Sequence, residues 1–151
     1  MSAWRETQEL VEAIKFGKHG KIKLLHQKDK ALLHSKVKIN LLDALGRRLP
    51  KDEGYQTVLN VAIASGSQAT VIFLMDEFKL DILETDFYGR NCVFMAVWFG
   101  KIETAKYLHS LDETLVRARD DDDDTVLCWA SKVSSKKIVQ WMIEKTNVAG
   151  A

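Results

Sequence analysis

DEGYQTVLNVAIASGSQATVIFLM runs from Asp52 to Met75, DFYGRNCVFMAVWFGKIETAKYLH from Asp86 to His109, and DDDDDTVLCWASKVSSKKIVQWMI from Asp120 to Ile143. The three stretches align without a gap at a step of 34 residues. Asp52, Asp86 and Asp120 coincide, as do Leu59, Val93 and Leu127, and Ala62, Ala96 and Ala130. Leu74, Leu108 and Met142 keep the same step, and Gly66 matches Gly100, with Ser134 in the third place. Internal repetition at a period of this size marks an array of small supersecondary units.

Each stretch carries its own start and stop signals. Thr57, Asn91 and Thr125 precede an apolar run and supply an oxygen for a helix N-terminus. Gly66 and Gly100 end that helix, and a left-handed glycine after the last turn is expected at both. A second helix follows, with Val71, Leu74 and Met75 as a stripe spaced i, i+3, i+4. Neither helix is long enough to bury its apolar face alone, so neighbouring units must stack.

The strings Thr57-Val58-Leu59-Asn60-Val61-Ala62, Asn91-Cys92-Val93-Phe94-Met95-Ala96 and Thr125-Val126-Leu127-Cys128-Trp129-Ala130 resemble the T-P-L-H-x-A signature of the ankyrin-repeat family. They depart from it at the proline (Val58, Cys92, Val126) and at the histidine (Asn60, Phe94, Cys128). The resemblance implies a mainly α fold, an ankyrin-repeat solenoid of helix-turn-helix units. About three full repeats would occupy 52–85, 86–119 and 120–151, the last truncated. Residues 1–51 form an irregular N-terminal capping repeat, in which Leu10, Ala13, Gly17, Ile22 and Leu25 match Leu59, Ala62, Gly66, Val71 and Leu74 at an offset of 49 rather than 34. The extra residues fall in 28–51, where Leu41-Leu42-Asp43-Ala44-Leu45-Gly46 reads as a short helix closed by Gly46. The tail Thr146–Ala151 reads as the opening of a further hairpin, or as the end of a small complete protein.

No apolar run approaches the roughly 20 residues of a membrane span, and Met1 to Glu12 lack the apolar core of a secretory leader. Two cysteines, Cys92 and Cys128, make no disulfide framework, which suggests a reduced compartment, the cytoplasm or the nucleus. Both read as buried or half-buried thiols. No phosphate loop, dinucleotide fingerprint or zinc-protease motif occurs, so no catalytic residue, metal or cofactor is expected and the chain reads as a non-enzyme. His26 and His34 lie eight apart without a cysteine nearby, too few ligands for zinc.

The function that the resemblance implies is protein–protein interaction, a scaffold or adaptor whose partner lies along the concave face. Carried over by register, the surface positions are Glu53, Gly54, Gln56, Ala64 and Ser65 in the first full repeat. They are Phe87, Tyr88, Arg90, Trp98 and Phe99 in the second, and Asp121, Asp122, Asp124, Lys132 and Val133 in the third. The middle set is rich in the residue types that dominate binding hot spots. With the acidic run Asp120–Asp124 beside it, this composition implies a partner with an apolar anchor and a basic flank. The acidic run also reads as a turn that caps a helix, with Asp123 in the left-handed place held by Gly89 in the unit before.

Two other functions compete. The repeats can be the regulatory N-terminal segment of a larger enzyme or channel. Alternatively, the basic first unit can bind phosphates or nucleic acid weakly: residues 1–51 hold 12 Lys/Arg against 5 Asp/Glu, whereas 52–151 hold 10 against 16. The lysines in question are Lys15, Lys18, Lys21, Lys23, Lys28 and Lys30. Only Phe16 interleaves with them for base stacking, so nucleic acid is the weaker expectation.

Overall fold

The computed structural model describes residues 2–42, 47–51, 54–132 and 135–150. The chain is mainly helical and divides into two compact units, Met1–Asp81 and Ile82–Ala151. Asp52, Glu53, Val133, Ser134 and the Asp43–Gly46 part of the helix expected in the insertion lie outside the described residues.

In the N-terminal unit, α1 (Ser2–Lys15) and α2 (His19–Lys28) form the first helix pair. Leu10, Ala13 and Ile14 place a fully buried stripe on α1, spaced i, i+3, i+4. Gly17 ends the helix with φ +66°. Lys18 N donates to Ala13 O at 2.9 Å and Gly17 N to Ile14 O at 3.3 Å, the paired bonds that satisfy the last carbonyls of a helix closed by a left-handed residue. The second pair is α3 (Val58–Ser65) and α4 (Gln68–Phe78), with α1 packed on both α2 and α3.

The insertion between these pairs is not built as expected. It makes a single 3-10 turn at Leu32–His34 and then the strand β1 (Val37–Lys38), which pairs antiparallel with β2 (Tyr55–Gln56). Leu41 is buried outside any helix, and Leu42 bridges to Arg48. This antiparallel bridge gives Leu42 a partner six residues on that leucine spacing does not reveal.

Gly66 also departs from expectation. Its φ is −103°, an extended conformation, and Ser67 next to it caps α4 by accepting from Thr70 N at 3.2 Å. Glycine serves here for space: a Cβ would sit 2.9 Å from Ala62 O and 3.1 Å from Ile14 O. Close approach of two backbones, not handedness, selects the residue.

In the C-terminal unit, α5 (Cys92–Trp98) pairs with α6 (Ile102–Leu111) and α7 (Val126–Ala130) with α8 (Lys136–Gly150). A 3-10 turn at Glu113–Arg117 joins them, and α5 packs on α7. Residues Cys92 to Val97 of α5 are all buried, as an apolar helix without a polar face must be. Gly100, with φ +72°, closes α5 by the same pair of bonds as Gly17: Lys101 N to Ala96 O at 2.8 Å and Gly100 N to Val97 O at 3.2 Å. On α8, Ile138, Trp141 and Met142 are buried at i, i+3, i+4. This helix runs through Thr146 to Gly150, so the tail continues α8 instead of opening a new hairpin.

The 34-residue register is visible in both caps and core. The Thr57 side chain accepts from Asn60 N at 3.0 Å, Asn91 from Val93 N at 2.9 Å and Phe94 N at 3.3 Å, and Thr125 from Cys128 N at 3.1 Å. Ala62, Ala96 and Ala130 are fully buried, as are Leu74, Leu108 and Met142.

Candidate partner-binding surface

The C-terminal unit carries two turns with the same wiring. In the first, Asp86 Oδ1 accepts from Tyr88 N at 2.9 Å and Arg90 N at 3.0 Å, while Asp86 N donates to Arg90 O at 3.0 Å. In the second, Asp120 Oδ1 accepts from Asp122 N at 3.0 Å and Asp124 N at 2.9 Å, while Asp120 N donates to Asp124 O at 2.9 Å. An aspartate that bonds the backbone ahead of it is a stable way to start a tight turn. The fourth residue of each turn has positive φ, +76° at Gly89 and +64° at Asp123, as the register implied. Asp121 N donates to Tyr88 O at 2.9 Å and so joins one turn to the next. A Cβ on Gly89 would run into the Asp121 carboxylate.

The second carboxylate oxygens are used differently. Asp86 Oδ2 accepts from Arg90 Nε at 2.7 Å, and both side chains of this ion pair are buried. Asp120 Oδ2 accepts from the indole N–H of Trp129 at 3.1 Å. The Arg90 guanidinium carbon lies 5.3 Å from the Tyr88 ring and 5.4 Å from the Trp129 ring. Phe94 and Trp98 meet Trp129 edge to face at 5.8 Å and 5.4 Å, and Lys132 Nζ lies 5.5 Å from it. Trp129 is therefore the hub that links both turns, a role the sequence reading missed. The signal was present: a tryptophan in the middle of a short apolar helix must find a partner for its N–H.

Three residues assigned to the binding surface, Arg90, Gln56 and Gly54, are corrected. Arg90 is 1% exposed and holds the first turn together from inside. Its burial is tolerated because Asp86 neutralises it and two rings cover it. Gln56 is also 1% exposed, with Oε1 accepting from Asn60 Nδ2 at 3.0 Å. Pairing of β2 with β1 points Gln56 inward opposite Val37 and leaves Tyr55 facing out, 41% exposed. Gly54 is buried beside them, its carbonyl accepting from Ile39 N at 2.7 Å.

The remaining positions fall into two groups. Phe87, Asp121 and Asp122 are exposed at the turn tips, with Tyr88 and Asp124 half-buried beside them. Trp98 and Phe99 are half-buried at the end of α5, and Lys132 is exposed after α7. Two aromatic rings thus lie beside exposed carboxylates on adjoining turns.

The cysteines differ from expectation in one respect. Burial pushes the Cys92 thiol up to about 12. Cys128 is exposed, and the Thr125 hydroxyl, which donates to its sulfur at 3.2 Å, holds its pKa below that of an ordinary thiol. Among the described residues no group of three His, Cys, Asp or Glu is placed to hold a metal ion. His26 packs against Phe78 at 4.6 Å. The basic first unit is partly neutralised: Lys21 pairs with Glu9 at 3.5 Å and Lys23 with Glu77 at 3.8 Å. Among the described residues no helix is long and apolar enough to cross a membrane.

Compared with models of known protein families the chain matches none, and no curated protein shows significant sequence similarity to it.

Proposed function

We propose that this chain is an ankyrin-like repeat module that binds another protein through the turn tips of its C-terminal unit. The observation that carries the reading is the bond from Asp121 N to Tyr88 O between two identically wired turns 34 residues apart. Turns joined in this way hold their tips side by side on a rigid base, which lowers the ordering cost of binding. The tips are also the place where ring and carboxylate meet in the open. Phe87 and Tyr88 supply the apolar contact, and Asp121 and Asp122 supply a negative flank. The partner is then a protein segment with an apolar anchor and basic neighbours, steered by charge and held by the anchor. In this reading the module acts as a scaffold or adaptor and carries out no chemistry.

The test is affinity capture from lysate by the wild-type chain, a Phe87→Ala variant and an Asp121→Asn/Asp122→Asn variant, each first shown to be folded by circular dichroism. A partner bound by the wild type is expected to lose about tenfold in affinity with Phe87→Ala, the effect of removing one interface anchor. The double Asn variant is expected to slow association and flatten its salt dependence. Equal recovery of every partner by all three folded chains rules the tips out.

A further inference from the structure

We infer that the N-terminal unit carries a separate docking groove for a short acidic peptide that inserts a bulky apolar side chain. The groove has a volume of about 420 Å³ and is formed by the end of α1, the end of α3 and the insertion after β1. Phe16, Ile39, Leu41, Leu42 and Ala64 are its apolar lining. Phe16 is 69% exposed and Leu42 is 55% exposed, so two large apolar side chains face the opening. Clefts that seat small ligands span roughly 300–1,000 Å³, and this one has room for an anchor side chain with part of its backbone.

The rim chooses the occupant. Among the described residues Lys15 is the one charged side chain that lines the groove, and it is exposed. Arg48 Nη2 donates to Asn40 Oδ1 at 2.9 Å, which holds its guanidinium beside another lining residue. Residues 1–51 carry 12 Lys/Arg against 5 Asp/Glu, so the wider field has the same sign. Carboxylates next to the anchor are therefore attracted, and a basic flank is repelled. The direction of the peptide follows as well. Past Phe16 and Lys15 the surface continues along α1 to Trp4 and Val11, lined by Glu9 and Glu12 against Arg5. The acidic flank belongs on the Lys15 and Arg48 side, and the other end of the peptide must be neutral or apolar. A polyphosphate chain suits this site less well, because its backbone needs a row of cations and the groove offers an apolar floor.

The groove joins Ile39 and Leu42 of the stretch after β1 with Ala64 and Ser65 at the end of α3. Its charge is opposite to that of the turn tips at Phe87 and Asp121, so the two surfaces select different partners.

Fluorescence anisotropy on the full chain tests this, with a labelled peptide Ala-Leu-Phe-Asp-Glu-Asp as probe and Ala-Leu-Phe-Lys-Arg-Lys as its charge-reversed counterpart. The acidic probe is expected to bind saturably and the basic one at least about tenfold more weakly. Phe16→Ser is expected to weaken the acidic probe about tenfold through loss of the exposed anchor contact. Lys15→Glu, at the charged rim of the same groove, is expected to weaken it severalfold and to flatten its salt dependence. Phe87→Ala is expected to leave the affinity unchanged, which separates this groove from the turn tips. Absence of saturable binding, equal affinity for both probes, or wild-type affinity in both Phe16→Ser and Lys15→Glu overturns the proposal. Displacement of the acidic probe by oligothymidylate, with affinity that falls steeply in salt, also overturns it and assigns the surface to nucleic acid.

Discussion

The turns Asp86–Arg90 and Asp120–Asp124 share their backbone bonds residue for residue, yet one is locked from inside and the other is open. In the first, the spare carboxylate oxygen holds Arg90, which lies buried between Tyr88 and Trp129. In the second, the spare oxygen holds the Trp129 indole, and the remaining charges face solvent. The difference teaches that the aspartate is needed for the backbone in both turns, while its second oxygen is available to recruit whatever the neighbouring unit supplies. A repeat of local structure therefore does not imply a repeat of energetics.

The largest expected difference comes from removing the two aspartates. Asp86→Ala removes the turn bonds and breaks the buried ion pair with Arg90 Nε, and is expected to cost about 3–5 kcal/mol. Asp120→Ala removes turn bonds and the Trp129 partner but strands no buried charge, and is expected to cost about 1–3 kcal/mol. Urea unfolding with an unchanged slope measures both. Equal costs would show that the buried ion pair is not what distinguishes the turns.

A smaller effect sharpens the comparison at the fourth turn position. Gly89→Ala is expected to destabilise by about 1–2 kcal/mol, because a side chain disfavours φ +76°. It also meets the Asp121 carboxylate. Asp123→Gly is expected to stabilise by about 0.5 kcal/mol, because relief of the left-handed conformation outweighs one exposed ion pair with Arg119. Thermal midpoints of the two variants suffice, and a loss of stability in Asp123→Gly would show that the Arg119 contact dominates the second turn.

The smallest perturbation uses the cysteines that follow each turn. Iodoacetamide is expected to label Cys128 in the native chain and to reach Cys92 only in denaturant. Labelling of Cys128 is expected to begin at lower pH than for a free cysteine, since the Thr125 hydroxyl stabilises its thiolate. Cys92, pushed up to about 12 by burial, stays a thiol throughout the working range. Mass spectrometry of the labelled peptides reads both. Native labelling of Cys92 would mean that the helix after the first turn opens readily, against the picture of a locked turn.

The positions legible in the sequence were those fixed by their immediate neighbours. Thr57, Asn91 and Thr125 cap helices because an oxygen three residues before a backbone N–H bonds it wherever the helix lies. Asp123 takes the place of Gly89 for a similarly local reason. Among the surface candidates, Phe87, Asp121 and Asp122 lie at turn tips and are exposed as read. Arg90 and Gln56 were misread because their burial depends on segments distant in the chain: Trp129 covers the one, and pairing with β1 turns the other inward. Gly66 was read, like Gly100, as a left-handed helix end, but the close approach of Ala62 O and Ile14 O sets its requirement.

By itself the sequence determined where the repeat helices begin, which alanines of the repeat face inward, and where the turns before them fall, because each depends on spacing and on bonds within a few residues. Only the tertiary structure decided which charges are buried and which apolar side chains are left in the open. A polar group can be buried only where another segment satisfies it. A ring such as Phe16 stays exposed only where the packing of distant segments leaves a groove beside it. Neither condition is written in the spacing of residues along the chain.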